Sequence, residues 1–153
     1  MRVWRLCKRR HGAFDGEGAR LAGGRWNQRG VPIVYTSETL SLAALELLVH
    51  CDPPLAPEDL VAIFAEVPDS LPIRRIEVSS LPRNWRRYPA PEALARFGTE
   101  WVNRGETAIL AVPSVLVPRE RNYLLNPAHR DFRQIRLGEA EAFALDSRLA
   151  AKR

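Results

Sequence analysis

One carboxylate in an otherwise apolar helix does most to limit what this chain can become. Between about Glu38 and His50, the residues Leu40, Ala43, Ala44, Leu47 and Leu48 recur at i, i+3, i+4, i+7 and i+8, the spacing of one helical face. Leu42, Leu45 and Val49 cover much of the remaining surface. A helix apolar nearly all round is expected to be buried, so Glu46 must meet a cation, a hydrogen-bond network or a water-filled pocket. An ion pair with a core arginine, or a bend that lets the side chain reach water, would also account for it. Thr36-Ser37-Glu38 offers hydroxyls that can cap this helix, and Cys51-Asp52-Pro53-Pro54 ends it.

Around that helix the pattern is mainly of strands. Val3 to Leu6, Val31 to Tyr35, Leu60 to Val67, Ile73 to Val78 and Thr107 to Val112 read as strands, while His11 to Leu21 reads as an irregular glycine-bearing loop. A second helix is predicted over about Glu92 to Asn103, after Pro89 and Pro91. Phe132 to Leu137 and Ala140 to Leu145 suggest a closing hairpin around Gly138. Strands outnumber helices without alternating with them, which predicts an α+β domain with a mixed, largely antiparallel sheet. The 153 residues fit one domain spanning 1–153, with no repeat or long linker to divide it.

Several function classes are excluded or left without support. There is no GxGxxG or GxxxxGK[ST] phosphate loop. Cys7 and Cys51 form no CxxC pair, and neither they nor the three histidines fall at zinc-finger or HExxH spacing, so no metal site and no disulfide framework is expected. A site made from Cys7, His11, His50 and Cys51 has no support from spacing. Met1 to His11 carries five basic residues and lacks the apolar run of a signal peptide or membrane span, so a cytoplasmic protein without membrane contact is expected. The net charge of +5 and pI near 9.9 favour anionic partners: nucleic acid, a dinucleotide or an acidic protein.

Four places carry groups suited to chemistry. In Gly23-Gly24-Arg25-Trp26-Asn27, glycines let backbone approach a ligand beside a permanently charged guanidinium, which suits a phosphate or pyrophosphate; a surface turn with a solvated arginine is the plainer alternative. Tyr35 closes a strand and can stack on a flat ring or serve as a core tyrosine. Ser114 follows Pro113 at a strand end and can contact a phosphate oxygen, with no histidine–acid arrangement to make it a nucleophile. Arg83-Asn84-Trp85-Arg86-Arg87-Tyr88 interleaves basic and aromatic residues as single-stranded nucleic-acid surfaces do, although a solvated loop with one anchoring aromatic explains it more simply.

Taken together the motifs resemble the RES-domain family, named for its Arg, Glu and Ser, whose members are toxins of bacterial toxin–antitoxin pairs. The resemblance runs from Val3-Trp4-Arg5-Leu6 through Gly18 to Asn27, Val34 to Glu38 and Ala43-Ala44-Leu45-Glu46, then to Pro113-Ser114 and Asn122 to Pro127. It implies that Arg25, Tyr35 and Glu46 are catalytic, and that Arg25, Tyr35, Ser114 and Asn126 bind substrate. It further implies a fold similar to ADP-ribosyltransferase toxins such as diphtheria toxin, with NAD as substrate, inorganic phosphate as a candidate co-substrate and no resident cofactor. The expected reaction is phosphorolysis or hydrolysis of the nicotinamide–ribose bond, with mono-ADP-ribosylation of a protein as the alternative. An Xre-type helix-turn-helix antitoxin is the implied partner; a homo-oligomer is left open, and direct nucleic-acid binding is not expected.

Overall fold

The computed structural model describes residues 1–50 and 59–150. Cys51 and the Pro53-Pro54 stop therefore lie outside the described residues. The chain begins with β1 (Arg2–Lys8), α1 (Glu17–Ala22), β2 (Val34–Ser37), α2 (Leu40–His50) and β3 (Leu60–Glu66). It continues with β4 (Ile73–Arg75), α3 (Glu92–Arg104), β5 (Ile109–Pro113) and β6 (Arg121–Leu125), and closes with β7 (Arg136–Leu137), β8 (Glu141–Ala142) and the short α4 (Ser147–Ala150). All strands join one curled sheet of order β4-β5-β6-β2-β1-β3-β7, with β8 also on β3. Among the described residues only β4–β5 is parallel, with α3 as the crossover; every other described pair is antiparallel. This is the mixed, largely antiparallel α+β domain expected from the strand pattern.

Strand alternation divides the core into two faces. On one face Val3, Val34, Val61, Ile63, Ala65, Ile109, Ala111 and Leu125 pack with Phe14, Leu71 and Ile135. The opposite face carries both longer helices. Leu94 and Trp101 of α3 cover Leu110, Val112 and Leu124, and Ala43 of α2 packs with Leu6, Leu60 and Ala62. Each such fully buried large side chain contributes about 1.5–3 kcal/mol relative to leaving it exposed. The strand β2 lies between β6 and β1, so its outward residues on this face, Tyr35 and Ser37, stand where the two helical covers meet.

Three local expectations are corrected. The loop His11 to Leu21 contains the start of α1, concealed by Gly16 and Gly18. The terminal segments form no hairpin: β7 and β8 pair separately with β3, at Ala65↔Leu137 and Val61↔Ala142. Gly138 is required by close approach, because its amide donates to Phe64 O at 2.9 Å and a Cβ there would meet the Phe64 ring at 2.3 Å. Finally, α2 is not buried all round. Only Leu42 and Ala43 are fully buried, while Leu45 and Val49 are 45% and 55% exposed, so the helix lies on the sheet with one side open. Among the described residues no helix is long and apolar enough to cross a membrane.

Candidate functional site

The glycine turn is a rigid construction held from beneath. Gly24 and Asn27 exchange backbone hydrogen bonds at 2.9 and 3.4 Å. The Asn27 amide donates to the carbonyls of Ala19 (2.8 Å), Gln28 (3.2 Å) and Val31 (3.0 Å), gathering the whole segment around one buried side chain. Two glycines make room for it. A Cβ on Gly24 would stand 2.7 Å from the Tyr35 hydroxyl, and one on Gly98 of α3 would stand 1.8 Å from the Trp26 carbonyl oxygen. Substitution at Gly98 would therefore push a Cβ into the Trp26 backbone, which a rotamer change cannot relieve.

Tyr35 locks this turn to the sheet. Its hydroxyl accepts from the Trp26 amide at 3.0 Å and donates to Asn27 Oδ1 at 2.7 Å. Burial pushes the phenol above its usual range, only partly opposed by the Trp26 amide and the Arg25 charge. The hydroxyl thus stays protonated at neutral pH with both bonding roles filled, leaving the half-buried ring as the part able to meet a ligand.

The turn presents Arg25. Its Nη1 donates to Trp85 O at 2.7 Å and its Nη2 to Arg87 O at 3.2 Å, so two of five guanidinium N–H groups fasten the 85–87 loop. Arg86 ties the same loop to the far wall by donating from Nε to Val115 O at 3.1 Å. Partial burial lowers the Arg25 pKa, while the charge of Glu46 and the nearby Tyr35 oppose that shift; the group remains a cation. The segment Arg83 to Tyr88 accordingly serves as the frame of Arg25, with Trp85 buried beneath it and Tyr88 exposed.

Across from Arg25, Glu46 is held by two donors on one oxygen. Ser114 Oγ donates to Oε1 at 3.0 Å and Asn122 Nδ2 donates to the same atom at 2.6 Å. The network resolves the question raised by a carboxylate on an apolar helix: α2 points Glu46 at the ends of β5 and β6, where polar side chains receive it. Ser114 is fully buried, and its oxygen also accepts from the Leu116 and Val117 amides at 3.1 and 3.2 Å. With its proton committed to Glu46 and its oxygen to two amides, this hydroxyl supports the carboxylate; in this arrangement it has no donor to offer a phosphate.

Arg25, Tyr35, Glu46 and Ser114 are thus brought together. Asn126 is not. Its Nδ2 faces Val102 O at 3.4 Å and its Oδ1 accepts from Ala128 N at 3.0 Å, beside a shallow groove that also includes Glu106, His129 and Arg130. Two residues of the site that the motifs do not mark as such are Asn122 and Ser37, the latter read from sequence only as a capping hydroxyl. Asn122 stands in the same run as Asn126, and its signal is register: it faces Ser37 across β2–β6. Among the described residues no group of three or more His, Cys, Asp or Glu side chains is placed to hold a metal ion.

The family model described as RES domain matches residues 2–146. The chain belongs to the RES domain family. It is 38% identical over 156 residues to the "Prs ADP-ribosylating toxin" of a Sphingobium species, covering 97% of this chain and 96% of that protein. It is 39% identical over 153 residues to "Toxin Res" of Yersinia enterocolitica, covering 97% and 99%. A chain in the crystal structure of the M. tuberculosis MbcT–MbcA toxin–antitoxin complex superposes with a TM-score of 0.74 at 16% identity, over 97% of this chain and 86% of that one. At that identity the likeness is one of fold. The two relatives, matched over nearly their whole length, are both named as toxins.

Proposed function

We propose that this RES protein, read as one domain over 1–153, is the toxin of a bacterial type II toxin–antitoxin pair and acts by consuming NAD. The observation that carries the reading is that Arg25 feels the charge of Glu46 beside Tyr35, with one oxygen of Glu46 bonded twice and the other without a hydrogen bond among the described residues. The three unspent N–H groups of Arg25 suit the pyrophosphate, through charge-assisted bonds. The Tyr35 ring packs against the nicotinamide or its ribose and holds the glycosidic bond in reach, positioning of a kind that supplies roughly 7 kcal/mol or more in good cases.

Cleavage breaks the ribose C1′–N bond, and the bonding pair leaves with nicotinamide, neutralising its pyridinium ring. Positive charge develops on the ribose, and the open oxygen of Glu46 stabilises it. Phosphate, water or a protein side chain then attacks C1′ and gives up its proton, producing ADP-ribose 1″-phosphate, ADP-ribose or an ADP-ribosylated protein. The mono-ADP-ribosyltransferase reading is favoured by one specific observation, the name of the Sphingobium relative. A cytoplasmic location follows from NAD as substrate. An Xre-type antitoxin is the proposed partner, and Arg83, Arg86, Arg87 and Arg119, which have no ion pair among the described residues, offer an acidic segment a complementary rim.

The deciding assay incubates purified protein with NAD, with and without phosphate, and resolves nicotinamide, ADP-ribose, its phosphate and labelled protein. NAD loss is expected, and must fall at least ~100-fold in Glu46→Gln protein that retains the wild-type circular dichroism. Because Arg25 also fastens the 85–87 loop, Arg25→Lys is a better partner variant than Arg25→Ala. Wild-type turnover by the Glu46 variant would remove the assignment.

A further inference from the structure

Glu46 is connected to a residue pair that motif reading and family name leave without a role. Ser37 of β2 and Asn122 of β6 are direct partners in the antiparallel register, so their Cβ atoms lie about 4.5–5.5 Å apart on one face of the sheet. The Ser37 hydroxyl donates to Asn122 Oδ1 at 2.8 Å, and Asn122 Nδ2 donates to Glu46 Oε1 at 2.6 Å. The chemistry at both ends fixes the direction of this relay. An ionised carboxylate only accepts, so the amide must turn its NH2 group to Glu46; its oxygen then needs a donor, which the buried Ser37 hydroxyl supplies.

We propose that Asn122, oriented by Ser37, is a positioning residue that holds the Glu46 carboxylate with one oxygen turned to the substrate. The inference rests on the NAD reading above for what that substrate is. Ser114 and Asn122 approach from the ends of neighbouring strands and converge on Oε1, which fixes the carboxylate plane as well as its position. Either donor alone would leave Glu46 free to rotate about the remaining bond. Together they keep Oε2 clear of protein donors, at the place where charge develops on the ribose.

The test uses the full chain with Asn122→Asp, Asn122→Ala and Ser37→Ala, reading kcat, KM for NAD and melting temperature. Asn122→Asp keeps the shape while replacing the donor with a like charge, and kcat is expected to fall roughly 100-fold, the scale of losing a preorganised electrostatic group, with KM within about threefold. Ser37→Ala should cost about five- to tenfold, the rate equivalent of one ordinary hydrogen bond. In a Glu46→Gln background Asn122→Asp should add no further loss, as expected of groups acting as one unit. A strand-to-helix staple would behave otherwise: melting temperature would fall while kcat per folded molecule stayed at the wild-type value, and that result overturns the proposal.

A second readout needs no turnover. The side-chain amide resonances of Asn122, identified by their loss in Asn122→Asp, should move in both Glu46→Gln and Ser37→Ala; resonances unmoved by either change also overturn it. If the wild-type protein leaves NAD intact, the substrate reading fails, and these resonances still decide the positioning of Glu46.

Discussion

Asn122 and Asn126 stand four residues apart, about 13 Å along the same extended stretch, and the structure uses them in opposite ways. At the start of β6, Asn122 spends its amide on the Glu46 carboxylate and is itself held by Ser37. Just past the end of the strand, Asn126 spends both ends of its amide on backbone, at Val102 and Ala128, and opens the turn through Pro127 and Ala128. The residue type is the same. What differs is the neighbour each strand end brings: a helix carrying a carboxylate at one, a chain reversal at the other. Proximity in sequence to a functional motif is therefore a poor guide to membership of the site, whereas strand register is a good one.

The comparison breaks most visibly through Glu46. Glu46→Gln preserves volume but replaces one acceptor by an NH2 group, so turnover of NAD should fall at least 100- to 1,000-fold, with melting temperature changing far less. Asn122→Asp should follow with the loss described above. Asn126→Asp or Asn126→Ala should do the reverse: kcat and KM stay near wild type, while stability falls by about 1–3 kcal/mol because the buried side chain loses its ties to the Val102 and Ala128 backbone. For a chain of this length that is a drop of roughly 2–12 °C in melting temperature, measurable by thermal circular dichroism. Should Asn126 variants instead lose kcat at wild-type stability, the two ends of β6 would both belong to the site and the distinction would collapse.

How much of this was legible beforehand follows from how each element is built. The helix α2 and its carboxylate were readable because a 3.6-residue period survives in Leu40, Ala43, Ala44, Leu47 and Leu48. Its exposed side was not, since periodicity records which residues are apolar and not which sheet lies beneath them. The strand β6 was missed because Arg121-Asn122-Tyr123-Leu124-Leu125 is central, with apolar residues on both faces and an asparagine where alternation predicts a core side chain. Without that strand the Ser37–Asn122 pair has no register to be read from. Gly138 suggested a hairpin because glycine serves equally for turns and for close approach, and only the Phe64 ring distinguishes the two. Ser114 and Arg25 were found as residues, but the partners that give them their tasks come from strands and loops far along the chain.

Tyr35 sharpens the comparison with the smallest effect. It pairs with Leu124, midway between the two asparagines, and although it lies beside Arg25 its hydroxyl is bonded on both sides like the Asn126 amide. Its function as a hydroxyl should therefore be structural. The phenol is raised above its ordinary value of 10 in the folded state, chiefly by burial, so above about pH 10 the unfolded chain loses a proton that the folded protein keeps. Stability contributed by Tyr35 is then fully present below pH 10 and declines as pH rises, by at most about 1.4 kcal/mol per pH unit. Tyr35→Phe lowers stability at pH 8, by leaving the Trp26 amide and Asn27 Oδ1 unpaired, but lacks this decline. The gap between the two proteins in urea unfolding should narrow from pH 10 to 11, whereas other tyrosines and lysines affect both alike. A constant gap across that range would mean that the hydroxyl titrates like a solvated phenol, and that Tyr35 belongs with the open, ligand-facing end of the strand instead of with Asn126.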